Sequence, residues 1–397
     1  MTAAPVDPVD RPEPAVALES GRFGYLDAQR QLVTVDAHGR RRSLTAHDSV
    51  LWGAGWGRFE PTDVHSWPTW SPDGRHLAAF RISRDGGEAR PIVLEASGVT
   101  SREGVGVAGG LPIYLQWSPE GDALAILSQR DDELVLERVD PAAPERSTPL
   151  LHGSPLFFSC LPGGRIAAFV GERRGPSMVV LGPDGARVDL PGTPGNFCAP
   201  VQVGDELVYV AHHRGRVTIL VGRPYGTGTR ELEIVDGLVA LVGSPDGRSL
   251  ARAVAPDGDG SCYRDLRLVD TRSGTTRAVS DADCVAFFWA RDQLVVARRR
   301  PQKGTIAWML VSPETGEETL VAELVPSRDL RFWLRFFEQY ALSHPIVDPA
   351  ASRLVLSGTL VGRKASSDDD FPRVWLVPLD GGAPEEVDVG PFATFAP

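Results

Sequence analysis

Metal binding is the first chemistry that the residue pattern could support. Asp257, Asp259, Ser261 and Asp265 place oxygen side chains at positions 1, 3, 5 and 9 of a calcium-type loop. Such a loop needs glycine at position 6 and glutamate at position 12, where this chain has cysteine and leucine. The pattern therefore favours a glycine-rich hairpin loop, and we predict no metal site and no cofactor.

Other polar clusters have similarly simple interpretations. The rings of the adjacent residues His212 and His213 would point to opposite faces of a strand, so one zinc ion could not easily bind both. The three aspartates at 368–370 are typical of a solvated loop tip. The four cysteines contain no CxxC pair, which favours a reduced, cytoplasmic protein.

Nucleophilic catalysis also lacks its usual motif. An α/β-hydrolase places its serine in a G-x-S-x-G turn, and that pattern does not occur in the sequence. Ser71, Ser118 and Ser244 instead lie in a repeated turn, where we expect each hydroxyl to serve the turn. We therefore predict no catalytic residue.

The segment from Ser327 to Ala341 combines aromatic and basic residues and has the strongest helix signal in the chain. A proline precedes Ser327, which can cap the helix. The apolar residues form one stripe at helical spacing: Leu330, Trp333, Leu334, Phe337 and Ala341. We predict a helix whose apolar stripe packs on the rest of the fold.

A repeated turn identifies the elements that must position these residues. WSPDGRHLAAF at 70–80 returns as WSPEGDALAIL at 117–127 and as GSPDGRSLARAV from Gly243. Proline fixes φ, aspartate can bond to the backbone beyond it, and glycine supplies a left-handed residue, so the motif predicts a tight β-hairpin turn. Degenerate copies follow at intervals of roughly 40–57 residues, with further strand-like runs between them.

Four antiparallel strands per repeat predict an all-β fold, a β-propeller whose blades stack in a ring because none can bury its faces alone. Counting the innermost strands gives eight blades, with seven possible. Residues 22–46 would supply three strands of blade one, and the terminal FATFAP would supply its innermost strand and close the ring. We assign 21–397 to a single propeller domain and the Pro-rich residues 1–20 to a disordered tail.

The turn W-S-P-[DE]-G-[RD]-x-L-A resembles the WD40-like repeat of TolB-type propellers. The same repeat forms the N-terminal propeller of prolyl oligopeptidase and dipeptidyl peptidase relatives. The resemblance extends from about Gly21 to Pro397. It implies the fold and says little about function. We expect the protein to differ from those relatives in lacking the signal peptide that a periplasmic TolB carries and in lacking a hydrolase domain.

Long insertions would lie on one face of this ring, opposite the repeated turns. They occupy 47–66, 98–112, 322–342 and 361–372. Loops on one sector of a rigid scaffold commonly carry binding residues. The predicted binding site combines aromatic and polar residues in or near these loops: Trp52, Trp56, His65, Trp67, Arg331, Arg335, Gln339, Tyr340 and His344.

Two interpretations of the helix remain open at this stage. The helix is either a cover that plugs the central channel, or a support on which Arg335, Gln339, Tyr340 and His344 line a pocket at the channel mouth. The function we expect is a non-catalytic binding or scaffolding propeller for a protein, peptide or small-molecule ligand. The alternatives are an enzyme with an unrecognised active site at the channel mouth, or an accessory propeller that gates a separately encoded hydrolase.

The net charge and the composition limit the classes of binding partner that we expect. The net charge is −11, and an acidic surface disfavours nucleic acid or an anionic membrane because phosphate binding needs the opposite field. No segment approaches the length of a transmembrane helix. We therefore expect a cytoplasmic monomer with no nucleic-acid or membrane partner.

Overall fold

Short antiparallel strands, in eight consecutive groups, make up most of the described chain. The computed structural model describes residues 21–45, 63–83, 88–98, 101–104, 107–108, 111–194, 198–224, 228–256, 258, 260–362 and 371–397. We number the groups as blades one to eight, a count consistent with the predicted ring. No helix in these ranges is long and apolar enough to cross a membrane. The tail predicted at 1–20 lies outside the described residues.

Blade one is built from both ends of the described chain. Its strands are β1 (Phe23–Leu26), β2 (Leu32–Val35), β3 (Arg41–Ser43) and β32 (Phe392–Phe395). The register of β1 and β32 runs antiparallel from Phe23 opposite Phe395 to Leu26 opposite Phe392. All eight of these paired residues are buried. The predicted closure by the C-terminal strand is confirmed.

Blades two to four follow in sequence, with the first strand of each group innermost. Blade two contains β4 (Asp63–Trp70), β5 (His76–Ser83), β6 (Glu88–Glu95), β7 (Ser101–Glu103) and β8 (Val107–Ala108). Blade three contains β9 (Leu111–Trp117), β10 (Leu124–Arg130), β11 (Glu133–Asp140) and β12 (Ala143–Gly153). Blade four contains β13 (Leu156–Leu161), β14 (Arg165–Glu172), β15 (Gly175–Leu181) and β16 (Arg187–Asp189).

Blades five to eight complete the ring. Blade five contains β17 (Val201–Val203), β18 (Glu206–His213), β19 (Arg216–Gly222) and β20 (Arg230–Ile234). Blade six contains β21 (Leu238–Gly243), β22 (Ser249–Ala255), β23 (Arg264–Asp270) and β24 (Thr276–Ser280). Blade seven contains β25 (Ala286–Ala290), β26 (Gln293–Arg300), β27 (Thr305–Val311) and β28 (Glu318–Pro326). Blade eight contains β29 (Arg353–Leu360), β30 (Arg373–Pro378) and β31 (Glu385–Val389).

The repeated turn joins the innermost strand of a blade to the second strand, as predicted. The Ser71 hydroxyl accepts the His76 N–H at 2.9 Å and donates to the Asp73 carboxylate at 2.6 Å. Gly74 has φ +63°, the left-handed conformation that the turn needs. Ser118 and Ser244 accept a strand N–H in the same way. These hydroxyls serve the turns.

Blades seven and eight are joined into one seven-stranded sheet. The end of β28 pairs with the end of β29, where Leu324 lies opposite Leu360 and Pro326 lies opposite Gly358. A Cβ at Gly358 would collide with the carbonyl oxygen of Val325, so this close approach requires glycine. The long connection that follows β28 therefore leaves the ring from a fixed point.

Candidate functional site

A helical segment between blades seven and eight lies across the centre of the ring. Helix α1 (Arg328–Arg335) begins after Ser327, whose hydroxyl accepts the Leu330 N–H at 2.9 Å, so the predicted cap is confirmed. The predicted continuous helix to Ala341 is not observed. Phe336, with φ −123° and ψ 30°, separates α1 from the short helix α2 (Phe337–Tyr340).

The break at Phe336 has a packing cause. It turns α2 so that the Phe337 ring meets Phe287 of blade seven and Tyr263 of blade six, with centroid distances of 5.2 and 5.9 Å. A continuous α-helix would carry Phe337 on the same face as Trp333, which already packs edge-to-face on Phe288 at 5.6 Å. The segment thus bends at Phe336 to pack on the blades instead of continuing as one regular helix.

One half of the segment is sealed by aromatic rings. This aromatic seal consists of Trp67, Tyr114, Tyr340, His344 and Phe392, with centroid distances such as 4.7 Å for Trp67–Tyr340 and 5.9 Å for His344–Phe392. The Tyr340 hydroxyl donates to the Ile113 carbonyl at 2.6 Å, and the Tyr114 hydroxyl donates to the Gln339 carbonyl at 2.7 Å. Blades one to three therefore hold this half by both packing and hydrogen bonds.

His344 is completely buried in the aromatic seal. Burial lowers the pKa of its imidazole to about 3, because the charged form would lose its hydration. Its Nδ1 lies 2.6 Å from the Ser343 hydroxyl. The ring is therefore neutral at pH 7 and is enclosed by protein, as a structural histidine is.

The other half of the segment faces a cavity of about 240 Å³. We call it the Glu338 cavity, and it lies towards blades four to six on the face that carries the long connections. Its lining residues are Phe157, Ala199, Leu238, Gly258, Gly260, Tyr263, Arg335, Phe336, Glu338 and Gln339. Most of these walls are apolar, and the polar side chains come mainly from the helical segment.

Glu338 is the acidic group of the cavity. Its carboxyl group accepts a hydrogen bond from the Cys198 thiol at 3.1 Å and another from the Tyr263 hydroxyl at 3.4 Å. Burial raises the pKa of Glu338 to about 8, and these two donors only partly oppose that shift. Burial also raises the pKa values of the Cys198 thiol and the Tyr263 hydroxyl. At pH 7 the three groups are therefore mostly neutral.

Arg335 is the basic group of the cavity. It is exposed, and its guanidinium carbon lies 5.9 Å from the centre of the Phe336 ring. The structure gives it no ion pair within the described part of the chain. The guanidinium group thus lies over an aromatic ring, and no described carboxylate neutralises its charge.

The residues of the predicted site separate into five groups. Arg335 and Gln339 line the Glu338 cavity, whereas Trp67, Tyr340 and His344 belong to the aromatic seal. Arg331 is exposed on α1 and does not line the cavity. His65 is buried in β4, where its Nδ1 lies 3.2 Å from the Arg30 carbonyl. Trp52 and Trp56 lie outside the described residues. A binding role for these residues remains a prediction.

The polar clusters considered first do not form a site in the described part of the chain. No group of three or more His, Cys, Asp or Glu side chains is placed there to hold a metal ion. Asp265 is paired with Arg252 and Arg267, each at 2.7 Å. The residues Asp257 and Asp259 and the run 368–370 lie outside the described residues.

Sequence reasoning missed the two cavity residues that matter most electrostatically, Glu338 and Tyr263. Glu338 could have been noticed as a carboxylate flanked by aromatic residues in the helical segment. No sequence signal connects it to Cys198 or Tyr263, which come from other blades and meet it only in the folded ring.

No protein-family model matches the sequence, and no curated protein sequence is significantly similar to it. Solved structures do match. A prolyl endopeptidase gives a TM-score of 0.54 at 11% identity, covering 84% of this chain and 50% of that one. An oligogalacturonate lyase in complex with manganese gives 0.52 at 14% identity, covering 91% and 98%. This chain is a β-propeller. TolB from Acinetobacter baumannii is also matched, at a TM-score of 0.37 and 15% identity over 66% and 64%.

The two likenesses with TM-scores above 0.5 support the fold of the propeller and nothing finer, since both identities are low. The resemblance inferred from the W-S-P-[DE]-G turn is confirmed at this level. The propeller spans half the length of the matched endopeptidase chain. Its function must therefore be argued from its own residues.

Proposed function

We propose that this propeller is a non-catalytic binding protein that holds a small ligand or the end of a peptide in the Glu338 cavity. The supporting observation is the asymmetry of the helical segment: one half is sealed, while the other places Arg335, Glu338 and Gln339 around an open space. Ligand sites are usually concave and apolar with a few converging polar groups, and this cavity has that composition.

The rigidity of the surroundings supports the same proposal. Gln339 donates to the Phe158 carbonyl of blade four at 3.4 Å, and Glu338 is fixed by donors from two further segments. Ligands bind more tightly to such preorganised groups because less conformational entropy is lost. We further propose that the protein is a monomer and that it is located in the cytoplasm. The cytoplasmic location is supported by the four cysteines, all of which are free.

Occupancy of the cavity can be tested with one blocking variant. Leu238 lines the cavity, and Leu238→Trp fills part of it; Leu320→Trp, at an exposed position on β28, is the matched control. We would screen a panel of metabolites and dipeptides by saturation-transfer NMR against the wild type and both variants. Compounds that bind the wild type and Leu320→Trp but lose binding in Leu238→Trp support the proposal. Compounds that bind all three proteins equally contradict it.

A second blocking variant covers the case in which Leu238→Trp does not fold. Arg335→Trp changes an exposed residue at the mouth of the same cavity.

The same NMR samples also distinguish binding from catalysis. Unchanged spectra of the bound compounds after prolonged incubation agree with a binding protein, and the appearance of a product would favour the enzyme alternative.

A further inference from the structure

We infer that the Glu338 cavity binds a free α-amino acid with an apolar side chain, with the ligand's ammonium group at Glu338 and its carboxylate at Arg335. This inference rests on the proposed function and specifies its ligand class. It is carried by a carboxyl group and a guanidinium group that line one small apolar space and form no ion pair with a described residue.

The first step is the carboxyl group of Glu338. Its two side-chain donors, Cys198 and Tyr263, are neutral, and the structure gives it no ion pair with a described basic residue. An enclosed carboxylate without a counter-ion is costly, so a cationic group of a ligand would be favoured beside it. A primary ammonium group has three donors and fits a carboxyl group whose other contacts are single hydrogen bonds.

The second step is the guanidinium group of Arg335. It is held over the Phe336 ring and is exposed at the cavity, so it can approach a ligand carboxylate in the bidentate geometry that arginine favours. Glu338 and Arg335 are three positions apart in the chain and lie on either side of the break at Phe336. One small molecule with both charges could contact both residues.

The third step is the size and character of the remaining walls. Phe157, Ala199, Leu238 and Phe336 are apolar and would accept an aliphatic or aromatic side chain. Gly260 keeps the space beside Tyr263 open, since a Cβ there would lie 3.3 Å from the Tyr263 hydroxyl. At about 240 Å³ the cavity is below the range of about 300–1,000 Å³ for drug-sized ligands. A single amino acid suits it better than a longer peptide.

Binding of the ligand's ammonium group should be coupled to the loss of a proton from Glu338. In the empty cavity the carboxyl group of Glu338 is mostly protonated at pH 7, because burial raises its pKa to about 8. Binding of an ammonium group would favour the carboxylate, and the displaced proton would pass to solvent. The groups that face Glu338 are the Cys198 thiol, the Tyr263 hydroxyl and the Leu241 backbone, with Arg335 on its own segment. We therefore expect affinity to increase from about pH 6 to about pH 8.

The experiment is isothermal titration calorimetry with three related probes. L-phenylalanine carries both charges, 2-phenylethylamine carries only the ammonium group, and 3-phenylpropanoate carries only the carboxylate. We expect L-phenylalanine to bind the wild type and to be weakened at least about tenfold by Glu338→Gln and by Arg335→Gln. Titrations at pH 7 in two buffers of different ionisation enthalpy should report release of about one proton per ligand.

The single-charge probes assign each contact. Glu338→Gln should weaken 2-phenylethylamine but not 3-phenylpropanoate, and Arg335→Gln should have the opposite effect. Arg331→Gln is the matched control, since Arg331 is exposed on the same helix and does not line the cavity. The inference is overturned if L-phenylalanine does not bind, or if all three variants change its affinity equally. If other compounds then still require an open cavity in the NMR screen, the proposed function stands and only the ligand class is wrong.

Discussion

The two halves of the central segment contain similar residues but have different surroundings. Around His344 the ring contributes large aromatic side chains, Trp67, Tyr114 and Phe392, and no space is left. Around Glu338 the ring contributes Ala199 and Gly260, and a cavity remains. In both halves burial keeps the ionisable group neutral at pH 7. The opposing blades, rather than the segment itself, therefore determine which half is enclosed and which half faces a cavity.

The largest effect should come from removing the strand that supports the sealed half. Deleting residues 392–397 removes β32, including two phenylalanines with 0–1% exposure. Burial of each contributes about 1.5–3 kcal/mol, and β1 also loses its partner strand. We expect loss of cooperative unfolding, measured by circular dichroism in a urea titration. Deletion of the exposed Pro397 alone is the control and should leave the transition unchanged. A truncated chain that still unfolds cooperatively would show that the ring does not need this closure.

A smaller effect should follow from Trp333→Ala on α1. Trp333 is completely buried, and its indole N–H donates to the His344 carbonyl at 3.1 Å. We expect the free energy of unfolding to fall by about 3–5 kcal/mol, as for other buried tryptophans. The neighbouring Phe332 is 42% exposed, and its ring contacts Trp67 and Tyr340 at 5.4 and 5.9 Å, so Phe332→Ala should cost less, about 1–2 kcal/mol. Chemical denaturation of both variants checks this contrast, and equal losses would mean that α1 is not anchored by its buried face.

Much of the fold could be predicted from sequence, because these features depend on residues that are close together in the chain. The repeated turn and the terminal FATFAP were enough to predict the ring and its closure, because turn chemistry and strand pattern are local properties. Ser327 marked the start of α1 for the same reason. The break at Phe336 could not be predicted, since Phe287 and Tyr263 of distant blades decide it.

The cavity was predictable only in part. The long connection between blades seven and eight was predictable from sequence, and two of its predicted site residues, Arg335 and Gln339, line the cavity. Tyr340 and His344 carry equally suitable polar groups, yet they are enclosed by Trp67 and Tyr114. Which side chains meet across a ring depends on contacts between residues far apart in sequence, and a single sequence does not contain that information.

The sealed half should also make the protein sensitive to acid. The folded-state pKa of His344 is about 3, below its usual value of 6.5, so the unfolded chain binds more protons between these values. The stabilising contribution is therefore present above about pH 6.5 and is lost as pH falls towards 3. We expect His344→Gln to reduce the dependence of the unfolding free energy on pH between about 7 and 4. His152→Gln, at an exposed position, should keep the wild-type slope. Parallel slopes for all three proteins would mean that His344 is protonated in the folded state.

The open half should show the opposite dependence. The folded-state pKa of Glu338 is about 8, above its usual value of 4.5, so the folded protein binds the extra proton between these values. The contribution is present below about pH 4.5 and is lost as pH rises through 8. Since each pKa unit corresponds to about 1.4 kcal/mol, a shift of this size sets an upper limit of about 5 kcal/mol between the limits. Denaturation of the wild type, Glu338→Gln and the exposed control Glu314→Gln at pH 5 and pH 8.5 would measure it. If the wild type and Glu338→Gln lose stability equally on alkalinisation, the carboxyl group is already ionised at neutral pH, and the two halves differ in more than the space beside them.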